Sequence, residues 1–510
     1  MFRKLLFLIL PLTLCAGQAD FIEGAVKGLI EQFLKGDDDG DNHVQTTHTI
    51  HLPSGLLEYT AVTGTLPQFA EGPEPVGELF FTAYLKSPHD PNRPVTFIFN
   101  GGPGGSAMSM HIGGLGPRRI LFPEEGMKTL PPYKIIDNPE TILDISDLVM
   151  IDPIDTGYSE AAIPEYNPYF HGVEGDILSF AEFIRVFCTH FERWNSPKYL
   201  MGASYGTSRA CGLAENLIGA YGIHLDGVIL LSCALDFNTL DSGRDFSLPD
   251  LLAIPTYAAT SWYHGRTMQD KTIDEVIDFA RRFALEDMSA IGMQPTRLSP
   301  YEQKHFYQQL SDLIGIPVTT LQRFQGRLSE ADYVREFMSS ERKLIGGTDS
   351  RYVGDTSALA GEYIEDPSYK NFRPALIPSF MQYLEDELET SRLFPKYKTF
   401  SAAANQNWNW WTFDTFSPLP TRPNFMQRLR RSLVANPSMK VFVGSGYYDI
   451  RTPFAATEYS ISHLELPDSY RSNFQFEYYE AGHGFIFDLI SLRKFRYDLE
   501  SFYEKEIPQR

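Results

Sequence analysis

Four short apolar runs most constrain what this chain can fold into. They occupy residues 94–100, 147–151, 227–231 and 439–444. Continuous apolar runs of this length are typical of strands buried on both sides in a parallel sheet, because a strand with one solvated face alternates instead. Amphipathic patterns at 172–191 and 207–221 predict long helices between such runs. This alternation predicts an α/β fold with a doubly wound, mostly parallel sheet.

A different texture interrupts this pattern between residues 240 and 435. The stretch is charged, shows helical patterns and few apolar runs, and includes an aromatic cluster at 408–413. Because buried-strand patterns resume only after it, we predict one core built from residues 46–239 and 436–510, with residues 240–435 inserted as a large helical cap. The position of the aromatic cluster predicts that it contributes to a substrate cleft; packing inside the cap is the alternative.

The first residues carry the features of an export signal. A positively charged start and a ten-residue apolar run precede small residues at 17–19, where cleavage is expected. The run is too short to span a bilayer, and no later stretch of transmembrane length lacks charges. We predict a signal peptide at 1–19, an amphipathic helix with an acidic linker at 20–45, and an exported protein, periplasmic or secreted. Lipidation of Cys15 stays open, although a leucine precedes it where a small residue is expected.

The charge balance excludes some classes of partner. The chain has 44 Lys and Arg against 65 Asp and Glu, a formal net charge of −21. Such a chain repels nucleic acid phosphates, and no basic patch with interleaved aromatics occurs. No CxxC or HExxH motif is present, so we predict no metal site and no cofactor. Cys188, Cys211 and Cys233 lie in core-like patterns and are expected to be buried thiols, with at most one disulfide among them.

Residues 202–206 read Gly-Ala-Ser-Tyr-Gly between a short strand and a helix. A G-x-S-x-G turn needs small residues two places before and after the serine, because larger side chains would collide with neighbouring backbone. The turn places the hydroxyl at the N-terminus of the following helix, where backbone N–H groups favour developing negative charge. Ser204 is therefore the candidate nucleophile.

Two later residues complete a Ser-Asp-His order along the chain. Asp449 follows the apolar run 439–444, and His483 lies in a Gly-His-Gly turn after the strand pattern 474–479. Both follow candidate core strands, at the sheet edge where such folds carry chemistry. We expect His483 to accept the proton of Ser204, and Asp449 to fix the imidazole tautomer and stabilise the imidazolium.

The turn at 100–106, Asn-Gly-Gly-Pro-Gly-Gly-Ser, follows another buried strand. Glycines allow backbone N–H groups to approach a site closely. Phosphate binding is the alternative, but the Lys-Ser/Thr pair of a P-loop is missing. Beside a nucleophile turn, this loop is interpreted as part of an oxyanion hole.

Together, these blocks resemble the serine carboxypeptidase family. The matching motifs, in order, are N-G-G-P-G-G-S at 100–106, D-P with T-G-Y-S at 152–159, G-A-S-Y-G at 202–206, and G-Y-Y-D followed by G-H-G within 446–484. The resemblance covers the core and implies the α/β-hydrolase fold. The extended forms Gly-Pro-Arg-Arg at 116–119 and Ser-Tyr-Gly-Thr at 204–207 are similar to the bacterial branch of the family.

The resemblance also implies roles for single residues. The backbone N–H groups of Gly102 and Tyr205 are implied as the oxyanion hole. Asn100 and Gly101 are implied as contacts for the terminal carboxylate of a peptide.

The chain departs from the family at two positions that bind this carboxylate. Ala203 and Gly114 stand where family members have glutamates that share protons and hold the peptide C-terminus. An arginine could replace them, because it pairs with a carboxylate bidentately and stays charged. Arg118, with Arg119 beside it, is the candidate; pairing of these arginines with the protein's own acids is the alternative.

The sequence thus predicts a serine-type peptidase that acts through an acyl-enzyme and cuts peptides near the C-terminus. An esterase or acyltransferase would use the same triad with a different pocket, because the fold does not fix the substrate. A non-catalytic binding protein is the third class, but it would be expected to lose a triad or oxyanion residue. The expected partner is a peptide or acyl-ester substrate, and the oligomeric state stays open.

Overall fold

The computed structural model describes residues 43–505, apart from 71, 124–128, 241–247, 290, 292–297, 357–358, 361–362, 365, 391–395 and 413–421. The predicted signal peptide and nearly all of the predicted 20–45 segment lie outside the described residues.

A ten-stranded sheet forms the centre of the described chain. Its strands are β1 His43–Leu52, β2 Gly55–Phe69, β3 Pro75–Lys86, β4 Val95–Phe99, β5 Asp147–Ile151, β6 Glu160–Ala161, β7 Lys198–Ser204, β8 Gly227–Cys233, β9 Lys440–Gly446 and β10 Phe474–Tyr479. The order is β1-β2-β3-β5-β4-β7-β8-β9-β10, with β6 paired to β3. Six neighbouring strands run parallel, in the order β5, β4, β7, β8, β9 and β10. Strands β1, β2 and β3 form an antiparallel edge beside β5. The mostly parallel sheet predicted from the sequence is confirmed.

Both faces of the sheet are covered, which explains why its central strands are apolar throughout. Along β5, Val149 faces one hydrophobic core and Leu148 the other. The first face packs against α1 (Val173–His190), α2 (Tyr205–Tyr221) and α4 (Met426–Ala435), and the second against α3 (Pro367–Asp386) and α5 (Leu489–Glu504). Alternate side chains of one strand therefore serve two cores.

The chain between β8 and β9 builds a largely helical insertion. Its helices before α3 are Leu248–Leu252, Ile254–Tyr263, Ile273–Arg282, Phe283–Met288, Pro300–Ile314, Val318–Arg323 and Glu330–Glu336. Three of them begin with a capping box at Thr272, Ser299 and Ser329, where hydroxyl and carboxylate satisfy the first backbone N–H groups. These helices enclose a hydrophobic core of their own.

The later part of the insertion returns to the sheet, since α3 and α4 pack on its two faces. Two small antiparallel pairs precede α3, Lys343–Ile345 with Val353–Asp355 and Leu359–Ala360 with Tyr363–Ile364. The separate core of the cap consists of buried residues between Ala253 and Ile345, together with Ile450 from the loop after β9.

The remaining described elements are short. They comprise the strand pair Arg118–Ile120 with Ile135–Asp137, and helical segments at Met108–Met110, His111–Leu115, Pro164–Tyr166, Asn167–Phe170, Phe237–Thr239, Ser339–Glu341, Ala402–Gln406, Phe454–Ser462, Asp468–Asn473 and Phe485–Phe487.

No helix in the described part of the chain has the length and apolarity needed to cross a membrane. The three cysteines that the structure describes, Cys188, Cys211 and Cys233, are buried thiols without a disulfide. Burial raises the pKa of Cys188 to about 11 and that of Cys211 to about 12, so these thiols stay protonated near neutral pH.

Candidate active site

The nucleophile turn joins β7 to α2. Ser204 ends β7 with φ 57° and ψ −129°, a conformation that L-residues rarely adopt. A Cβ on Gly202 would overlap the carbonyl oxygen of Gly206. A Cβ on Gly206 would lie 3.0 Å from the carbonyl oxygen of Asn100. Glycine at both positions therefore permits the sharp turn, which leaves Ser204 half-buried at the N-terminus of α2.

The histidine and aspartate of the predicted triad are in contact. His483 Nδ1 lies 2.7 Å from Asp449 Oδ2, so a proton on Nδ1 leaves Nε2 as the base. Thr452 donates its hydroxyl to the same oxygen at 2.6 Å and its backbone N–H to Oδ1 at 3.0 Å. Asp449 is fully buried. Burial opposes the charged imidazolium, but the charge and hydrogen bond of Asp449 outweigh it and raise the pKa of His483.

Ser204 and His483 lie at the same edge of the sheet. Ser204 pairs with Cys233 across β7 and β8. The neighbouring Ser232 donates its hydroxyl to the carbonyl oxygen of His483 at 2.8 Å. Ser232 also has a positive φ, 49°, at an irregularity of the β8 ladder. A second strained serine thus ties the histidine loop to the strand beside the nucleophile.

The loop at 100–106 lies directly on the nucleophile turn. A Cβ on Gly101 would come within 2.6 Å of the Tyr205 nitrogen and 2.8 Å of the Ser204 Cβ. Gly102 follows with φ 121°, open only to glycine. The structure therefore places Gly101, the residue before the implied donor Gly102, against Ser204 and the backbone nitrogen of the other implied donor, Tyr205.

Asn100 braces this loop from within. Its side-chain nitrogen donates to the carbonyl oxygen of Ser106 at 3.2 Å and to the hydroxyl of Ser109 at 2.8 Å. Both amide protons are thus engaged inside the protein, so the implied contact with a substrate carboxylate requires one of these bonds to break.

A buried ion pair that sequence reasoning missed supports the same loop. Arg209 on α2 donates to both carboxylate oxygens of Asp176 on α1, at 2.8 and 3.0 Å, and to the carbonyl oxygen of Asn100 at 2.7 Å. Asp176 also accepts from the Tyr205 hydroxyl at 3.2 Å. The arginine and aspartate are almost fully buried. They link α1, α2 and the loop at 100–106, here called the oxyanion loop after its predicted role. No local sequence motif marks either residue.

The positions of the two missing acids differ in the room they offer. A Cβ on Gly114 would lie 2.6 Å from the carbonyl oxygen of Ile486. No side chain fits at Gly114 without backbone movement. Ala203 lies under the oxyanion loop, with its carbonyl oxygen 2.6 Å from the position of a Cβ on Gly101. Neither position carries the carboxylate that the resemblance implies for family members.

The contacts of Arg118 are with acidic side chains of the protein itself. Its guanidinium donates to Glu387 at 2.9 Å and also pairs with Asp137. Arg119 is buried and donates to the carbonyl oxygen of Ile120 at 3.2 Å. Substrate binding by Arg118 stays a prediction. In the structure its guanidinium forms the alternative pairing with the protein's own acids, so a substrate carboxylate would have to use its remaining N–H groups or exchange with these partners.

The aromatic cluster reaches the nucleophile turn. Trp408 and Trp410 both meet the Tyr205 ring edge to face, at centroid distances of 5.3 and 5.7 Å. Trp408 is buried, whereas Trp410 is 36% exposed and Trp411 is 51% exposed. The last member of the cluster, Phe413, lies outside the described residues.

Two acidic residues of the insertion, Glu330 and Asp366, lie near Arg451 in the loop that carries Asp449. Arg451, two residues after Asp449, pairs with Glu330 at 2.5 Å and lies 3.7 Å from Asp366. Burial raises the pKa of Glu330, against the opposing charge of Arg451. Arg451 follows the recognisable G-Y-Y-D block, but nothing in the local sequence marks Glu330 or Asp366.

Within the described ranges, no group of three His, Cys, Asp or Glu side chains is placed to hold a metal ion.

Comparison with known proteins agrees with this geometry. Residues 70–236 match the family model described as serine carboxypeptidase. Two curated relatives, pheromone-processing carboxypeptidases KEX1 of Metarhizium robertsii and Metarhizium acridum, are 32% and 31% identical over 136 and 149 residues. These matches cover 26% and 29% of this chain, and only 20% and 22% of the relatives, about a fifth of their length.

A solved structure extends the likeness over most of the chain. The crystal structure of Kex1(delta)p, a prohormone-processing carboxypeptidase from Saccharomyces cerevisiae, has a TM-score of 0.52 at 16% identity, covering 87% of this chain and 91% of its own. At this identity the likeness shows the fold. The predicted α/β-hydrolase fold is thereby confirmed.

Proposed function

We propose that this protein is a serine-type carboxypeptidase that releases residues from peptide C-termini through an acyl-enzyme. One observation carries the proposal. The Asp449–His483 pair, 2.7 Å apart, lies at the same sheet edge as the strained Ser204 turn and the glycine loop pressed on it. The family model matched by residues 70–236 supports the substrate class.

The chemistry follows from these positions. His483 Nε2 takes the proton of the Ser204 hydroxyl as its oxygen attacks the substrate carbonyl carbon. The N–H groups of Gly102 and Tyr205 stabilise the resulting oxyanion. The C–N bond then breaks, and His483 gives its proton to the leaving amine. In the second half of the reaction, His483 takes a proton from water as the water oxygen attacks the acyl ester. The ester bond to Ser204 then breaks, and His483 returns the proton to the Ser204 oxygen.

Selection of a free C-terminus is the weaker part of the arrangement. The two family glutamates are replaced by Ala203 and Gly114, and the Asn100 amide is engaged within its own loop. The Gly101 N–H and a released Asn100 amide are the donors left for a terminal carboxylate. A hydrogen bond to a charged group contributes about 1.5–3 kcal/mol to binding. Because few donors remain for the terminal carboxylate, we expect only a modest preference for a peptide with a free C-terminus over its amide.

A substrate panel tests this proposal. Wild type and Ser204→Ala are assayed with one peptide carrying a free C-terminus, the same peptide as its amide, an N-blocked form and a p-nitrophenyl ester. Loss of single residues from the free peptide, absent in Ser204→Ala, supports a carboxypeptidase. Hydrolysis of the ester alone would instead favour an esterase or acyltransferase, and binding without turnover a non-catalytic protein.

The remaining assignments are also proposals. Export to the periplasm or outside the cell rests on the signal-like residues 1–19, and N-terminal sequencing of the mature protein should find cleavage before Asp20. Membership of the bacterial branch rests on the residues at 116–119 and 204–207. The core-and-cap division at 240–435 rests on the separate hydrophobic core that residues between Ala253 and Ile345 form, with Ile450, among the described residues, as its one buried member from outside the insertion.

A further inference from the structure

A loop of the insertion contacts both catalytic loops, which are residues 447–453 after β9, with Asp449, and residues 480–484 after β10, with His483. Residues 347–351, here called the clasp, connect the paired strands Lys343–Ile345 and Val353–Asp355. On the side of the triad aspartate, the backbone N–H of Ile450 donates to the carbonyl oxygen of Gly347 at 3.1 Å. The N–H of Ser350 donates to the carbonyl oxygen of Tyr448 at 3.0 Å. Two backbone bonds thus hold the residues on either side of Asp449.

The clasp holds the histidine loop as well. The N–H of His483 donates to the carbonyl oxygen of Thr348 at 2.7 Å. The N–H of Gly482 donates to a carboxylate oxygen of Asp349 at 3.0 Å. A Cβ on Gly482 would overlap the backbone and Cβ of Asp349, so the loop and the clasp are in direct contact. Glycine at 482 is required by this approach.

The Asp349 side chain is itself fixed. Arg351 donates from Nη2 to Oδ2 at 2.7 Å and from Nε to Oδ1 at 3.0 Å. The same guanidinium donates from Nη1 to the carbonyl oxygen of Glu480 at 2.7 Å. Both side chains are buried. A planar guanidinium therefore joins the clasp to the start of the histidine loop while it orients the carboxylate that accepts from Gly482.

We propose that Asp349, held by Arg351, is a positioning residue for His483; this rests on the proposed function of the triad. Asp349 does not touch the reacting atoms. It fixes the backbone N–H of Gly482, and so the place from which the imidazole reaches Asp449 on one side and Ser204 on the other. A displacement of about 1 Å at such a group can cost about a hundredfold in rate.

In the wild type the charge of Asp349 is balanced by Arg351, so its effect on His483 acts through geometry. Asp349→Ala and Asp349→Asn both remove the charge that balances Arg351, so it is the difference between these two variants that reports geometry. The charged groups facing the imidazole are Asp449 and Arg451 from the loop after β9, with Asp366 and Glu330 from the insertion. Of these, Asp449 raises the pKa of His483 most. If the histidine loop loosens, the Asp449 bond lengthens and this pKa falls towards its ordinary value.

The test compares three variants on a p-nitrophenyl ester. For Asp349→Ala we expect kcat to fall about tenfold to a hundredfold, KM to stay within about twofold, and the acid limb of kcat/KM to move to lower pH. Asp349→Asn keeps an acceptor for Gly482 and should recover much of kcat. Arg281→Gln is the matched control: it weakens another insertion-to-core ion pair, with Glu458 on Phe454–Ser462, without touching either catalytic loop. Its acid limb should equal that of wild type.

Two results would overturn the inference. One is an Asp349→Ala variant whose kcat falls only in proportion to its folded fraction, with the wild-type acid limb. The other is an equal shift of the limb in Arg281→Gln. Should Asp349→Ala not fold, Arg351→Lys keeps a positive charge beside Asp349 but loses the two-point hold on its carboxylate and the bond to Glu480, and its acid limb should also move to lower pH. A wild type that turns over neither ester nor peptide would defeat the proposed function itself, before any variant is compared.

Discussion

Among single residues, Ser204, His483 and Asp449 are the ones to which the proposed mechanism assigns the chemistry. Ser204→Ala removes the attacking oxygen, and kcat should fall about a millionfold. His483→Ala should be about as severe because no base remains, and Asp449→Asn should cost about ten-thousandfold because the imidazole tautomer is no longer fixed. Steady-state kinetics, with Tm measured for each variant, checks these values. A Ser204→Ala variant that keeps more than a few per cent of activity contradicts the mechanism.

In the proposed mechanism, the raised pKa of His483 sets the acid limit of activity. His483 acts as a base when neutral, so kcat/KM falls as the pH drops through its pKa. Because Asp449 raises that pKa above its ordinary value of 6.5, the limb should lie above pH 6.5. Asp449→Asn removes the charge responsible, and the limb should move to lower pH. Profiles of kcat/KM against pH for both proteins measure the shift.

The same profiles test the account of the missing acids. With Ala203 and Gly114 in place of glutamates, a peptide with a free C-terminus and its amide should share one acid limb. A sharp optimum at about pH 4–5 for the free acid alone would show that another carboxyl, such as Glu330, binds the terminal carboxylate in its protonated form.

At the scale of elements, the different exposure of Trp408 and Trp410 predicts different roles for these two residues of the aromatic segment after Ala402–Gln406. Trp408 is buried against Tyr205, so Trp408→Ala should lower Tm. If the cavity left by the ring does not collapse, the free energy of unfolding should fall by about 3–5 kcal/mol. Trp410 meets the same ring but is 36% exposed, so Trp410→Ala should raise KM with little change in Tm. Melting curves and kinetics of both variants decide. A lowered Tm with unchanged KM for Trp410→Ala would place it in packing alone.

The elements that could be predicted from the sequence are those whose causes are local. The apolar runs marked β4, β5, β8 and β9, because burial on both faces leaves a continuous pattern. The nucleophile turn was readable from its glycines. Arg118, by contrast, was placed at the site by its chemistry alone, and its partner Glu387 comes from a distant helix end that no local pattern reveals.

The supporting contacts of the site escaped prediction for the same reason. Asp176 with Arg209, and Asp349 with Gly482, join segments separated by 33 and 133 positions. Only the folded chain brings them together. An isolated aspartate or arginine in a helix or loop is most often a solvated residue, so its sequence context carries no sign of such a partner.

At the scale of the whole molecule, the site is assembled from both parts of the core and from the insertion between them. Ser204 and the oxyanion loop precede the insertion, Asp449 and His483 follow it, and the clasp belongs to it. The fold therefore brings together an active site whose members span residues 100 to 483. The hydrogen bonds of the clasp predict that docking of the insertion also positions His483 and Asp449.

The most direct test of the central claim is active-site labelling of the intact protein. A fluorophosphonate should add one adduct per chain, peptide mapping should place it on Ser204, and Ser204→Ala should take up none. Labelling should fall as the pH drops through the pKa of His483, since the same base activates the hydroxyl. An adduct on another serine, or equal labelling of Ser204→Ala, would contradict the account.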